Sequence, residues 1–211
     1  MKYNQIGRSM IEMLGVLAII AVLSVGGIAG YSKAMEKYKS NKLIEEYSYL
    51  IYGLLEHLND LKYLSSDNTM VPVYDYVQAA NLVPQTWIIN DEGWKSLKDG
   101  QNNLIDIFSR NNRLVINFYI GGVSKKDTFF SPAFSSKLCV SIFQNLGQPL
   151  HSVVFAVRTS AWGTGRSIWF YGDSYCNEKI KCVAQASLEE IHEACKICES
   201  SNAYCNISLE F

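Results

Sequence analysis

One uncharged stretch near the N-terminus constrains the fold of this chain more than any other feature. Residues 13–29 read MLGVLAIIAVLSVGGIA and contain no charged side chain. About 17 apolar residues is close to the minimum length of a helix that crosses a bilayer, and the flanking Gly30 extends it. A helix in the core of a soluble protein would carry a polar stripe, whereas this run has Ser24 as its one polar side chain. The pattern predicts a membrane-spanning helix.

The position of the polar leader indicates that this apolar run is retained. A secretory signal peptide is cleaved after its apolar run, at small residues. Here residues 1–7 (MKYNQIG) precede the run, and helix-compatible sequence follows it directly. No proline occurs between Arg8 and Leu64. The sequence therefore predicts one helix over that span, about 85 Å long at 1.5 Å per residue.

Beyond the apolar run the helical pattern becomes amphipathic. Apolar residues recur at steps of three and four, with acidic and polar residues between them. A coiled-coil stalk would show a narrower stripe with fewer tyrosines. We therefore expect this part of the helix to pack against a globular head. The apolar positions are Leu43, Ile44, Tyr47, Leu50, Ile51, Leu54, Leu55, Leu58 and Leu61.

Glu12 is an anomaly at the start of the apolar run, between Ile11 and Met13. A carboxylate near lipid is costly unless it is paired or lies at the interface. One interpretation is that Glu12 marks the interfacial end of a signal anchor. The other is that a cation supplied on assembly pairs with it.

Residues 7–14 (GRSMIEML) resemble the prepilin cleavage motif of type IV pilins and type II secretion pseudopilins. The resemblance covers roughly residues 1–45 and implies cleavage between Gly7 and Arg8 by a membrane peptidase, followed by methylation of the new amine on Arg8. It also implies that Glu12, the fifth residue after the cut, pairs with the amine of a neighbouring subunit, because two charges that are costly in lipid are tolerated together. Arg8 departs from the family, whose mature chains usually begin with an apolar residue.

Two glycines of the apolar run, Gly26 and Gly30, form a small-xxx-small pair that permits close approach of another helix. One interpretation is helix packing within a filament. The other is the ordinary frequency of glycine in membrane helices.

The rest of the chain predicts an α+β head in which a small antiparallel sheet packs on the long helix. Helical patterns cover residues 73–80 and 136–146, and a capping box at Ser187 opens a helix that extends to about Glu199. Alternating β-branched and aromatic residues predict strands, and a glycine turn at 163–165 predicts that two of them pair. The predicted strands are 114–120, 153–158, 167–171 and 204–211.

Six cysteines lie in the last third of the chain, and an exported domain would use them as disulfides. The pilin resemblance implies a bond between Cys139 and Cys205. For the other four, Cys176–Cys182 and Cys195–Cys198 are the shortest closures, although four cysteines permit three connectivities. A redox pair at Cys195–Cys198 or a zinc site with His192 is disfavoured, because the CxxC falls at a helix end and lacks a second pair. The sequence predicts no catalysis, no metal and no cofactor.

The prediction is thus a cleaved leader (1–7), a transmembrane assembly helix (8–30), its amphipathic continuation (31–64) and a globular pilin head (65–211). The resemblance implies a pilus-filament subunit that resides in the inner membrane before assembly and in an extracellular or periplasmic filament afterwards. The partners it implies are other copies, a prepilin peptidase and the inner-membrane assembly platform. Alternatives are a minor pilin or secretion pseudopilin and, from another class, a membrane-anchored extracytoplasmic thiol or metal enzyme. A net charge of −1 gives no basic field for specific nucleic-acid binding.

Overall fold

The computed structural model describes residues 10–90, 95–122, 124–125, 129–130, 134–199 and 204–211. The chain divides into two compact units, Met1–Lys42 and Leu43–Phe211. Helix α1, Met10–Leu55, contributes residues to both units. The second unit thus begins within the helix, whereas the sequence placed the start of the head at residue 65.

In the first unit, the backbone hydrogen bonds of α1 can all be made within the helix. It contains no proline, so every backbone N–H beyond the first turn can bond within the helix. Its side chains from Met13 to Gly30 are exposed. This part of α1 gains no stability from hydrophobic burial within the first unit, since no described residue of that unit covers its side chains.

In the second unit, α1 presents an apolar face to the core and ends at Leu55 rather than at Leu64. The hydrogen bonding tightens at this point, because the His57 N–H donates to Leu54 O at 3.2 Å. A separate short helix, α2, Leu58–Lys62, follows. The predicted unbroken helix is therefore wrong in its last turns.

Three further helices agree with the predicted positions. They are α3, Tyr74–Ala79, α4, Ser136–Ile142, and α5, Leu188–Lys196. After α4 the chain continues as a π-helical turn, Phe143–Gly147, and a 3₁₀ turn, Gln148–Leu150. The predicted capping box is confirmed, because Ser187 Oγ accepts from the Glu190 N–H at 3.2 Å and Glu190 Oε2 accepts from the Ser187 N–H at 3.1 Å.

The described strands form one large antiparallel sheet and one small pair. The strands are β1 Val71–Pro72, β2 Ile88–Asn90, β3 Ser96–Lys98, β4 Leu104–Arg110, β5 Arg113–Tyr119, β6 Ser124–Lys125, β7 Phe129–Phe130, β8 Ala156–Trp162, β9 Arg166–Tyr171 and β10 Tyr204–Glu210. The large sheet has the order β2-β3-β4-β5-β10-β8-β9, with β1 beside β4, and β6 pairs with β7. The last of these strands in sequence, β10, therefore lies between β5 and β8.

The core lies on one face of this sheet, which we call the inner face. Phe118 of β5 pairs with Ile207 of β10, and both side chains are fully buried there. The ring of Tyr47 on α1 lies 4.6 Å from the ring of Phe118. Farther along the sheet, the ring of Phe143 meets that of Phe170 edge-on at 4.9 Å. Helix α1 and the segment after α4 thus cover the same face, which confirms the α+β class.

Candidate assembly helix and outer sheet face

The N-terminal part of α1 exposes an unusual amount of apolar surface. Its large apolar side chains between Met13 and Ile28 are 52% to 73% exposed. The helix is long and apolar enough to cross a membrane. A continuous apolar surface of this kind is unfavourable in water, and it marks a contact with lipid or with another protein.

The residues predicted to direct processing and assembly are placed as follows. Gly7 and Arg8 lie outside the described residues. The backbone of Glu12 belongs to α1, but its side chain is not described. A Cβ atom placed on Gly26 or Gly30 would meet no atom of the described residues within 4 Å. Residues four apart lie on the same helix face, so the two glycines form one open patch.

Within the head, Tyr47 fixes α1 to the loop between β3 and β4. Its hydroxyl donates to Asp99 Oδ2, which also accepts from Asn103 Nδ2 at 2.7 Å. Asp99 Oδ1 accepts the backbone N–H groups of Gln101 at 2.8 Å and Asn103 at 2.9 Å. Burial raises the pKa of the Tyr47 hydroxyl well above its usual value, and the charge of Asp99 adds to this shift. The neutral phenol is therefore a permanent donor that sets the helix register on the sheet.

Sequence reasoning missed this anchor, because Tyr47 was assigned only to the apolar stripe. A signal for it was present in the run from Asp99 to Asn103, which reads Asp-Gly-Gln-Asn-Asn. Such a run favours a turn in which the aspartate side chain accepts backbone N–H groups. A carboxylate held in this way inside a head needs a further donor, and Tyr47 is the donor in this structure.

The disulfides correct the one predicted pairing and settle the others, which the sequence left open. Cys139 bonds to Cys195, which joins α4 to α5, so the predicted Cys139–Cys205 bond is wrong. Cys205 instead bonds to Cys198, so the short closure between Cys195 and Cys198 does not form. The other short closure, Cys176–Cys182, is present.

The physical reason for the correction is the packing of α5. Its buried face places Cys195 against α4, with the Cα atoms of Cys139 and Cys195 5.9 Å apart. Cys198 lies just beyond the helix, where it meets the inward side chain of Cys205 on β10, with a Cα separation of 5.2 Å. The two cysteines of the CxxC therefore have different partners, which no spacing rule reveals.

The disulfides and the arrangement of possible metal ligands can be compared with the alternative of a thiol or metal enzyme. All six cysteine sulfurs are in disulfides, so the structure holds no free thiol for a redox or nucleophilic step. Among the described residues, no group of three or more His, Cys, Asp or Glu side chains is arranged to hold a metal ion.

A row of polar side chains crosses the opposite, outer face of the sheet. Trp162 Nε1 donates to Asn206 Oδ1 at 3.1 Å, and Asn206 Nδ2 donates to Ser208 Oγ at 3.0 Å. Ser208 Oγ donates to Asn117 Oδ1 at 2.5 Å, and Asn117 Nδ2 lies 3.5 Å from the Tyr119 hydroxyl. Three neighbouring strands, β5, β10 and β8, are thus linked by side chains as well as by backbone.

Asp106 on β4 is the titratable acid of this row. It is 9% exposed, and burial raises the pKa of its carboxyl to about 7, against the opposing effect of a hydrogen bond with Tyr119. Burial also raises the pKa of the Tyr119 hydroxyl, to which the charge of Asp106 contributes. The outer face therefore contains a carboxyl group that changes its charge near neutral pH.

Comparison of the chain with protein-family models, with curated proteins and with solved structures yields no match. The resemblance to prepilins therefore rests on residues 1–45 of the sequence alone. Independently of that resemblance, the structure shows an exposed apolar helix and a disulfide-bonded head.

Proposed function

We propose that this chain is a structural subunit of a type IV pilus-like filament, made as a single-pass inner-membrane protein. The observation that carries the proposal is the combination of the Gly7–Glu12 motif with a helix whose apolar side chains are exposed along residues 13–30. A prepilin peptidase would cut after Gly7. The mature chain would then be passed by an assembly platform into an extracellular or periplasmic filament, without catalysis of its own.

The exposed helix supports a role in assembly. Lipid covers such a surface in the membrane, and helices of other copies would cover it in a filament. The open patch at Gly26 and Gly30 would let a neighbouring helix approach closely. Glu12, which is costly near lipid, would gain a cationic partner in the amine of the adjacent subunit.

The head supports a location outside the cytoplasm. Three disulfides in one unit are typical of an oxidising compartment. Each stabilises a fold by about 2–4 kcal/mol, chiefly by restricting the unfolded chain. A minor pilin or a secretion pseudopilin would share these features, and its low copy number would distinguish it from a major subunit.

The proposal is tested by N-terminal sequencing of the protein from the membrane, together with two substitutions. We expect the mature chain to begin at Arg8 with a methylated amine. Glu12→Ala and the isosteric Glu12→Gln should both leave export intact and abolish incorporation into sheared filaments, because neither can pair with an amine.

Glu45→Ala is the matched control, since Glu45 is an exposed acid farther along the same helix. It should be processed and incorporated as the unchanged chain is. A mature protein that begins at Met1 or near Gly30, or filaments that assemble normally from the Glu12→Gln chain, would contradict the proposal.

A further inference from the structure

A basic segment follows the apolar run of α1 directly. Residues 31–42 read YSKAMEKYKSNK and contain four lysines and one glutamate. They belong to α1 and to the first unit of the chain. Three of the lysines, Lys33, Lys37 and Lys39, have exposed side chains and lie nearest to the run. The exposed apolar surface is therefore followed, within one helix, by an exposed and positively charged surface.

The length of the apolar run sets where the bilayer ends around a helix that spans it. Residues 13–30 extend over about 27 Å at 1.5 Å per residue, which is close to the thickness of a hydrocarbon core. Tyr31 then lies at the boundary, where tyrosine is favoured because its ring is apolar and its hydroxyl is polar. The side chain of Tyr31 is 67% exposed, so it is available to lipid.

The lysines begin where the headgroup layer begins. Lys33 lies about 5 Å beyond Gly30 along the helix axis, and Lys39 lies about 14 Å beyond it. The headgroup layer on one side of a bilayer is about 5–8 Å thick, and charges attract over a Debye length of about 8 Å at physiological salt. Side chains of an α-helix also lean toward its N-terminus, which here is the apolar run. All three ammonium groups are thus within range of lipid phosphates.

The lysines surround the helix instead of forming one stripe. At 3.6 residues per turn, Lys37 is about 40° from Lys33 around the helix axis, and Lys39 is about 240° from it. A folded protein partner would contact one side of the helix, and its acidic groups would require the basic residues on that side. A headgroup layer surrounds the helix and reaches lysines on opposite sides. The distribution therefore favours a lipid surface over an acidic protein surface.

The usual charge bias of membrane proteins does not account for these lysines. Lys and Arg are normally enriched on the cytoplasmic side of a membrane helix, where they set its orientation. In the orientation proposed above, residues 31–42 lie on the opposite side, the side of the disulfide-bonded head. Attraction to anionic lipid gives a basic segment a role on that side.

We propose that Lys33, Lys37 and Lys39 form a collar that binds the headgroups of anionic phospholipids in the leaflet on the side of the head. The ammonium groups pair with lipid phosphates, while Tyr31 lies at the edge of the hydrocarbon core. This inference rests on the proposed insertion of the chain in a membrane, and it adds the class of lipid and the residues that select it.

The test compares two lipids at the surface of the full chain in a bilayer. The chain is reconstituted in phosphatidylcholine vesicles that contain a trace of spin-labelled phosphatidylglycerol or of spin-labelled phosphatidylcholine. Electron paramagnetic resonance measures the motionally restricted fraction of each label, which gives the ratio of the two association constants. One lysine near an anionic headgroup should favour phosphatidylglycerol about fivefold at low salt. The ratio should fall toward one in 1 M salt, which screens charges beyond about 3 Å.

A triple variant with Lys33→Gln, Lys37→Gln and Lys39→Gln should lower this ratio at least about threefold, because the ammonium groups that attract the anionic lipid are removed. Glutamine has nearly the helix propensity of lysine, so α1 itself is preserved. A ratio that stays at the value of the unchanged chain would overturn the proposal.

The matched control is a second triple variant with Lys179→Gln, Lys181→Gln and Lys196→Gln. It removes the same total charge from exposed lysines of the head and should keep the ratio of the unchanged chain. An equal decrease in both triple variants would mean that net charge attracts the lipid, and the collar would then be wrong.

The same spectra separate this inference from the membrane proposal on which it rests. If the unchanged chain restricts neither label, it is not inserted, and both proposals fail. If it restricts both labels equally at low salt, the chain is inserted and the collar alone fails. The collar also fails if its triple variant keeps the lipid ratio but loses a salt-sensitive association between copies. That result would assign the lysines to an acidic surface of a neighbouring chain.

Discussion

Residues 13–30 and residues 43–55 belong to the same helix, α1, but they differ in the burial and the hydrogen bonding of their side chains. In the second stretch, Leu50, Ile51 and Leu54 are completely buried and Tyr47 is hydrogen-bonded to Asp99. In the first, Leu23 is 69% exposed and no charged or strongly polar group is available to fix a register. The difference teaches that side-chain pattern, and not helical propensity, decides whether a helix finds its partner within its own chain.

The glycines of the two stretches show the same contrast. A Cβ atom on Gly53 would lie 2.3 Å from Leu82 Cδ2, so a residue of the head already occupies that space. At Gly26 and Gly30, by contrast, no atom of the described residues lies within 4 Å of the added Cβ. Glycine therefore permits a close contact inside the head at position 53, whereas the surface at the other two positions is open.

The largest effect that separates the two stretches is expected from truncation of a leucine. Leu50→Ala should lower the free energy of unfolding of the head by about 2–5 kcal/mol, because it leaves a cavity in the core. Leu23→Ala, the matched change in the exposed stretch, should leave that free energy unchanged within about 0.5 kcal/mol. Chemical denaturation in detergent, followed by tryptophan fluorescence, measures both, and equal effects would break the comparison.

Loss of the Cys139–Cys195 bond should have the next largest effect. Its closed loop spans 56 residues, whereas that of Cys176–Cys182 spans 6. Replacing both cysteines by alanine should therefore cost about 4 kcal/mol for the long loop and about 2 kcal/mol for the short one. The same denaturation assay tests this order. Helicity of residues 13–30 in micelles should be the same in both variants.

The smallest effect is a pH dependence confined to the head, because residues 13–30 contain no titratable side chain. The folded-state pKa of Asp106 is raised to about 7, so the folded protein retains a proton that the unfolded chain releases. Stability from this group is full below about pH 4, falls between about pH 4 and pH 7, and stays reduced above pH 7.

The upper bound on that loss is on the order of 4 kcal/mol, and water penetration around a buried charge reduces it to roughly half. Asp106→Asn should therefore raise stability by about 2 kcal/mol at pH 8 and change it little at pH 4. Unfolding curves at the two pH values provide the measurement. A variant that is stabilised equally at both would show that ionisation of Asp106 is not the cause.

Local signals predicted much of the head. The capping box at Ser187, the strand at 114–120 and the glycine turn at 163–165 each depend on residues a few positions apart, and each is present in the structure. Strand β4 was missed because Asp106 and Ser109 interrupt its apolar pattern, and both are buried on opposite faces. Such residues look like a loop until their partners across the sheet are known.

Contacts between distant residues were beyond the sequence. The partner of Cys139 depends on how α5 packs on α4. The ion pairs of Glu210 with Arg113 and Arg158 depend on strand order, since both arginines are far from Glu210 in the sequence. For the candidate site, the sequence supplied the motif at Gly7, Arg8 and Glu12, whereas the open surface at Gly26 and Gly30 required coordinates.

The central place of β10 has a consequence for how the head is made. Strands β5 and β8 each hydrogen-bond to β10, so neither has its full set of partners until residues 204–210 have been synthesised. The head therefore stays open until β10 has been synthesised, and it then closes around that strand. A chain stopped shortly before that strand would expose two unpaired sheet edges to its neighbours, which is a route to aggregation.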